Sequence, residues 1–160
     1  MTSRTSAAGA DTGQGSNAAL AESQLRAASV RITTARVRVL AALLDARRAY
    51  SHQDVQDALA DMDRVTLYRA LDCLTDAGLA HKIPGDDRIF RYSAGAEHAA
   101  PDHQHGHFKC TRCTQVFCLD SIAEAGMVQK ALQEALGKGF RSHDIEFTVK
   151  GWCADCARKT

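Results

Sequence analysis

The chain has 160 residues, a formal net charge of +1 and a hydrophobic fraction of 45%. This length suits one domain or two small ones, and the composition is that of an ordinary globular protein. No apolar stretch approaches the roughly 20 residues of a membrane-spanning helix, and the N-terminus lacks the apolar segment of a secretory signal. A cytoplasmic location without membrane association is therefore expected. The overall charge gives no support for nucleic-acid binding, so that function must rest on local features.

The beginning of the sequence predicts a disordered tail followed by two helices. Residues 1–18 are rich in Ala, Gly, Ser and Thr and show no apolar periodicity, which is typical of a disordered segment. A short helix is expected near 20–28. Thr33 or Thr34 is predicted to cap the next helix, in which apolar residues recur at intervals of three and four.

The next segment has the pattern of a winged helix-turn-helix. Ser51 and Asp63 are each predicted to cap a helix, and Gly78 is predicted to end the second of these helices. A short polar turn separates the two helices, as in a helix-turn-helix. Two strands are then expected at 79–83 and 88–92, because a Pro-Gly-Asp-Asp turn lies between them. The resulting hairpin is the wing.

The second half of the chain alternates between strand and helix patterns, which predicts a separate α/β domain. The expected elements are strands at 105–109 and 116–119, a helix over 122–136 and a strand at 145–149. The sequence therefore indicates an α+β protein. Its expected parts are a tail (1–18), a winged-helix domain (19–93), a linker (94–104) and a C-terminal domain (105–160).

Four of the six cysteines form two C-x-x-C pairs. Such a turn directs two thiolates at one ion, and two turns supply the four soft ligands of a tetrahedral, structural zinc. The candidate ligands are Cys110, Cys113, Cys153 and Cys156. The segment between the pairs is long enough for a strand, a helix and a strand, so the ion would fasten both ends of the C-terminal domain. Two redox-active disulfides or unrelated buried cysteines are the alternatives.

A histidine run leads directly into the first cysteine pair. His103, His105 and His107 alternate, so an extended chain places their side chains on one face. Imidazoles bind zinc, iron, nickel or copper, and a solvated loop is the alternative interpretation. His81 at the wing and Cys118 on a later strand can complete the site, although alone they would be a surface histidine and a small core residue. A mixed site would join the two domains and couple metal binding to their orientation.

Three motifs together resemble the ferric uptake regulator family over residues 26–158. They are the TLYRAL segment at 66–71 followed by Gly78, the histidine run that ends in the first C-x-x-C pair, and the GWCADC segment at 151–156. The resemblance implies a homodimeric winged-helix repressor whose C-terminal domain forms the dimer. It also implies that the metal-loaded dimer binds a palindromic operator in double-stranded DNA.

Within that family, the sequence resembles the zinc uptake regulators most. His81 matches a sensor ligand typical of them, and Cys118 stands where many members carry a carboxylate ligand. A softer ligand favours zinc over iron. Arg91 stands where members often supply an Asp or Cys ligand, so that ligand is expected to be absent or shifted. About two zinc ions per subunit are expected, one structural and one regulatory.

The resemblance also implies which residues contact DNA. The recognition-helix tyrosine and arginine of the family match Tyr68 and Arg69, although packing against the wing is an alternative role for the tyrosine. Arg64, one turn earlier, is expected to contact phosphate, and Arg88 and Arg91 are expected to add backbone contacts from the wing. The predicted DNA-binding residues are Arg64, Thr66, Tyr68 and Arg69.

Functions from other classes are less consistent with the sequence. A zinc hydrolase needs an open metal site with a general base, and the H-E-x-x-H pattern is missing, so no enzymatic activity is expected. A metal-buffering protein that never touches DNA would leave the helix-turn-helix and the wing without a role. An iron- or peroxide-responsive regulator of the same family remains the alternative to a zinc-responsive repressor.

Overall fold

The computed structural model describes residues 12–95, 106–119, 125–141 and 147–159, with side chains from residue 17 onward in the first range and from 130 onward in the third. His103 and His105, and most of the expected linker, lie outside these ranges. Within them the protein is an α+β structure with two separate three-stranded sheets, which confirms the predicted fold class.

The N-terminal part, up to residue 95, is a winged helix-turn-helix. It contains helices α1 (Thr12–Ala27), α2 (Thr34–Asp45), α3 (His52–Ala58) and α4 (Arg64–Asp76) and strands β1 (Tyr50–Ser51), β2 (Ala80–Pro84) and β3 (Phe90–Ala94). The first helix begins at Thr12, so the predicted tail over 1–18 is too long. Alanine and leucine residues of α1 pack on α2. The glycines at the start of α1 have a low helix propensity, so the sequence did not indicate where this helix begins.

Side-chain caps set where three of these helices begin. The hydroxyl of Thr33, rather than that of Thr34, accepts a hydrogen bond from the amide of Arg36 at the start of α2. The carboxylate of Asp63 accepts from the amide of Thr66 at the start of α4. Ser51 caps α3, as predicted. Each cap satisfies an amide that the first helical turn leaves without a partner.

The apolar core of this part lies between the helices and the wing. Buried residues of α1, α2 and α4 meet Tyr92 of the wing. The wing sheet has the order β1-β3-β2, so β3 is its central strand. The wing strands lie within two residues of their predicted bounds. Strand β1 was not predicted, because two residues are too short to show an alternation.

The C-terminal part contains strands β4 (Gly106–Cys110), β5 (Val116–Leu119) and β6 (Phe147–Gly151) and helices α5 (Ala125–Leu136) and α6 (Ala154–Ala157). Strand β4 lies in the centre, antiparallel to β5 and parallel to β6. The last strand was predicted over 145–149, of which 145–146 lie outside the described residues, and it extends to Gly151; α6 was not predicted. No helix within the described residues combines the length and the apolarity that crossing a membrane requires.

The cap of α3 generates a prediction about stability. Ser51 and Asp54 form a reciprocal capping box, and Arg48 donates to Asp54 at 2.8 Å. Burial raises the pKa of Asp54, but the hydrogen bonds from Arg48 and Ser51 outweigh it and hold that pKa at about 2. The depressed pKa means that the carboxylate stabilises the fold above about pH 4 and that this contribution is lost as the pH falls towards 2.

Asp54→Asn should therefore lower the free energy of unfolding by about 1 kcal/mol at pH 7. Urea unfolding of the unaltered chain and of Asp54→Asn, both without metal, measures this difference at pH 7 and near pH 3. Protonation of other groups affects both proteins alike, so the comparison reports on Asp54. The difference between them should shrink at the lower pH. A difference that stays constant or grows would contradict the role given to the carboxylate.

Candidate metal centres and nucleic-acid interface

Four cysteine sulfurs converge at one end of the C-terminal sheet. Cys110 ends β4 and Cys113 lies in the turn that follows, whereas Cys153 directly precedes α6 and Cys156 lies within it. Parallel pairing of β4 with β6 brings Cys110 beside Gly151, so both C-x-x-C turns follow the carboxyl ends of these strands, at the same end of the sheet. The four sulfurs all lie within 4.8 Å of one another.

The dimensions of this cluster suit a zinc ion. Two sulfurs bound to a tetrahedral zinc at about 2.3 Å lie about 3.8 Å apart. The sulfurs of Cys113 and Cys153 are separated by 3.7 Å. Three of the four side chains are buried and none is paired in a disulfide. A shell of four thiolates has no open position, so a metal held here would be structural.

The thiols of this cluster differ widely in acidity. The amide of Cys153 donates to the sulfur of Cys110 at 3.3 Å and lowers the pKa of that thiol to about 6. Burial, together with the neighbouring thiols, raises the pKa of Cys156 to about 12. One sulfur is thus readily available as a thiolate, whereas others must exchange a proton for the metal. Metal affinity at this site therefore increases with pH.

A second cluster consists of one residue from each of three strands. His81 lies on β2, His107 on β4 and Cys118 on β5, and the last two are direct cross-strand partners. Their candidate ligand atoms lie within 4.8 Å of one another. The three side chains are half-buried. These three residues belong to the sensor site predicted from the sequence, together with His103 and His105, and the fold brings the three close together.

The geometry of this cluster also suits a tetrahedral ion. A nitrogen and a sulfur bound to one zinc, at about 2.1 and 2.3 Å, lie about 3.6 Å apart. Nε2 of His81 and Sγ of Cys118 are separated by 3.4 Å. The rings of His81 and His107 have centroids 5.8 Å apart. Three donors leave one tetrahedral position, and His103 and His105, the other candidates, lie outside the described residues.

This second cluster lies where the wing meets the C-terminal sheet, a contact that we call the junction. Its apolar part is formed by Ala49, Ile83 and Val116, with Cys118 packed against them. The amide of Ala49 donates to the carbonyl of Val116 at 2.8 Å. The two parts of the molecule therefore meet through both a backbone hydrogen bond and apolar packing beside the cluster.

Charged groups form the outer part of the junction. Asp86, in the wing turn, lies 2.7 Å from the ammonium group of Lys150 and 3.6 Å from that of Lys109. Lys109 also donates to the carbonyl of Pro84 at 2.9 Å. The shared carboxylate of Asp86 is largely exposed, so salt screens these ion pairs, and their contribution to the stability of the junction is small. Sequence reasoning missed this network, because it depends on residues that are distant in the chain.

Arg91 lies at the junction. It is not part of the metal cluster, and it is not exposed on the surface of the wing. It is 6% exposed, and its guanidinium group donates to both carboxylate oxygens of Asp87, at 2.9 and 2.6 Å. It also donates to the hydroxyl of Thr114, in the first cysteine turn, at 3.3 Å. The expected DNA contact from Arg91 is therefore wrong, because the side chain is buried in an ion pair. A guanidinium group has no lone pair for a metal, so no ligand comes from this position.

The predicted DNA-binding residues lie at the beginning of α4. Arg64, Tyr68 and Arg69 are exposed and Thr66 is half-buried, whereas Leu67 faces the core. The ring of Tyr68, 43% exposed, contacts the imidazole of His52. His52 was not predicted from the sequence as a residue near the DNA-binding surface. The one hint in the sequence is its position directly after Ser51, the cap of α3.

The comparisons with known proteins agree with this arrangement. The model of the ferric uptake regulator family matches residues 27–150. The transcriptional regulator FurA of Mycobacterium tuberculosis is 33% identical over 142 residues, which cover 84% of this chain and 88% of FurA. The ferric uptake regulation protein of Legionella pneumophila is 33% identical over 141 residues, which cover 83% of this chain and 96% of that protein.

Solved structures extend the likeness to the fold. A zinc uptake regulator complexed with zinc and DNA has a TM-score of 0.63 and 25% sequence identity, and the match covers 94% of this chain and 98% of that one. The members of the matched family are transcriptional regulators, not enzymes. The extent of the family match and the FurA alignment establish the classification: the chain is a member of the ferric uptake regulator family of metal-binding transcriptional regulators.

Proposed function

We propose that this chain is a zinc-responsive transcriptional repressor that acts in the cytoplasm. A homodimer would bind a palindromic operator when each subunit holds a structural zinc in the cysteine cluster and a regulatory zinc at the junction. The observation that carries the proposal is the cluster of His81, His107 and Cys118, because its donors come from both the wing and the C-terminal sheet.

The donor set supports zinc as the regulatory metal. Two imidazoles and one thiolate form a site of intermediate softness, which zinc prefers to the oxygen-rich surroundings favoured by manganese. A fourth ligand would come from His103 or His105. The solved zinc uptake regulator with zinc and DNA is a neighbour of this chain, which agrees with this choice. About two zinc ions per subunit are expected.

The exposed beginning of α4 supports operator binding. In a winged helix the second helix of the helix-turn-helix enters the major groove, where Tyr68 and Arg69 would reach base edges. Arg64 and Thr66 would hold the phosphate backbone. A symmetric dimer presents two such helices to half-sites about 34 Å apart, so a change in the angle between wing and C-terminal sheet alters their fit to DNA.

Metal binding would act by selecting one arrangement of the junction. An ion bound to His81 and Cys118 would add a bond between the two sheets. The other contacts described there are apolar packing, a backbone hydrogen bond, the side-chain hydrogen bonds of Lys109 and Arg91, and screened ion pairs. The ion can shift the equilibrium only by its differential affinity for the two arrangements, typically about 1–3 kcal/mol.

An iron-responsive regulator is the second candidate. The observation in its favour is that the curated relatives at 33% identity bear the names FurA and ferric uptake regulation protein. Against it stands the sulfur ligand Cys118, since a carboxylate would suit iron better. The choice between the two metals is therefore a matter for a binding experiment.

Zinc should control DNA binding through the cluster of His81, His107 and Cys118 at the junction. The probe is a duplex that the zinc-loaded full chain selects from a random-sequence library, and affinity is measured by fluorescence anisotropy across buffered free zinc, iron and manganese. Zinc should tighten binding about tenfold or more, and the other metals should act less at equal free concentration. His81→Ala should lose most of this response and remain a folded dimer.

Lys130→Ala, an exposed substitution on α5, serves as the control and should respond as the unaltered chain does. A full zinc response in His81→Ala would contradict the ligand assignment. A greater response to iron than to zinc would favour the second candidate, and failure to select any duplex would favour a metal-buffering protein.

Loss of a cysteine ligand should affect folding and not only regulation. Cys113→Ser should abolish the tighter-bound zinc and unfold or monomerise the C-terminal part, because the ion fastens both C-x-x-C turns. Zinc content and sedimentation equilibrium measure the two effects. Cys73→Ser, a matched substitution on α4, should leave both unchanged. A stable dimer of Cys113→Ser with normal zinc content would refute the structural assignment.

A further inference from the structure

Three rings form a continuous contact from the wing to the exposed face of α4. The imidazole of His52, the first residue of α3, lies between the rings of Tyr68 and Tyr92. Its ring centroid is 4.3 Å from that of Tyr68, with 49° between the planes, and 4.7 Å from that of Tyr92, with 70° between the planes. Aromatic groups attract one another at these separations.

Tyr92, at the wing end of these three rings, is held in place by the surrounding core. Tyr92 is 1% exposed and lies on β3, the central strand of the wing sheet. Its hydroxyl lies 3.1 Å from Nε2 of His52. Burial raises the pKa of the Tyr92 phenol and lowers the pKa of the His52 imidazole, so both groups are neutral near pH 7. A hydrogen bond joins the phenol to the imidazole, with its direction set by the imidazole tautomer, and it holds the edge of the His52 ring against Tyr92.

The other end has room to move. Tyr68 is 43% exposed, and a cavity of about 250 Å³ opens beside it between α3, α4 and the wing. Gln53, Arg64 and Ile89 help to line this cavity. Among the ring contacts of the described residues, the one made by Tyr68 is with His52. The cavity leaves space beside the phenol ring that the contact with His52 alone does not fill.

We infer that His52 is a positioning residue for DNA recognition, which fixes the ring of Tyr68 in the orientation that contacts DNA. The inference rests on the proposed function, because it requires Tyr68 at the DNA surface. His52 acts through Tyr68 and needs no DNA contact of its own. Ordering the ring before binding reduces the conformational freedom lost on binding, which increases affinity for the correct site.

A double-mutant cycle tests this inference. The measured quantity is the specificity ratio, the affinity of the zinc-loaded full chain for its selected duplex divided by that for a random-sequence duplex of equal length. His52→Ala should lower this ratio about tenfold in the unaltered chain but less than about twofold in a Tyr68→Ala background. A role in stability alone would give similar losses in both backgrounds.

Two further variants separate the ring contact from the hydrogen bond. The pair His52→Phe with Tyr92→Phe removes the hydrogen bond without leaving a buried polar group, and it keeps three rings in contact. It should retain most of the specificity ratio, and it remains informative if His52→Ala fails to fold. Asp57→Ala on the exposed side of α3 is the control, because its change of charge affects both duplexes alike.

Equal losses from His52→Ala in both backgrounds, or an unchanged ratio, would overturn the inference. If Tyr68→Ala lowers the ratio and His52→Ala does not, the inference fails while the proposed function stands. If Tyr68→Ala itself leaves the ratio unchanged, the proposed DNA contact fails as well.

Discussion

Coupling between metal binding and domain orientation depends on the approach of two side chains across the junction, the imidazole of His81 and the sulfur of Cys118, at 3.4 Å. The first is carried by the wing and the second by the C-terminal sheet, so this distance measures how the two parts of the molecule sit relative to each other. Backbone pairing sets the position of each residue within its own sheet. An ion that needs both residues as ligands would therefore bind one arrangement better than others.

The two clusters differ in a way that suits two different roles. All four cysteines belong to the C-terminal part, and they form a closed shell whose metal would support folding. The cluster of His81, His107 and Cys118 draws its donors from both parts of the molecule, and it has three donors among the described residues. Its surroundings are a few apolar residues, hydrogen bonds and screened ion pairs, each of which contributes modestly to holding the parts together. A weak contact is what a ligand worth a few kcal/mol can control.

Features that depend on neighbouring residues could be predicted from the sequence. The caps Thr33, Ser51 and Asp63, the hairpin of the wing and the two cysteine pairs all follow from local spacing. The start of α1 was missed because its first turn contains glycines, and tertiary packing outweighs their low helix propensity.

Features that depend on distant residues could not be predicted in this way. The sequence offered three alternating histidines, and only the register of β4 with β5 shows that His107 faces Cys118. The burial of Arg91 depends on the distant Thr114, and the ring contacts of His52 depend on Tyr68 and Tyr92. Local patterns thus predict which residues can act as caps or metal ligands, whereas the topology decides which of them lie close together.

Thermodynamic linkage gives the most direct measurement of the central claim. If zinc at the two junctions of a dimer tightens DNA binding by some factor, DNA must tighten the binding of the two zinc ions, taken together, by the same factor. The affinity for the more weakly held zinc is measured by competition with a chelator, with and without the selected duplex. With one regulatory zinc in each of two subunits, the two per-site increases multiply to the effect of zinc on DNA affinity, so a tenfold effect on DNA corresponds to an expected increase of about threefold at each zinc site. An unchanged zinc affinity would contradict the account.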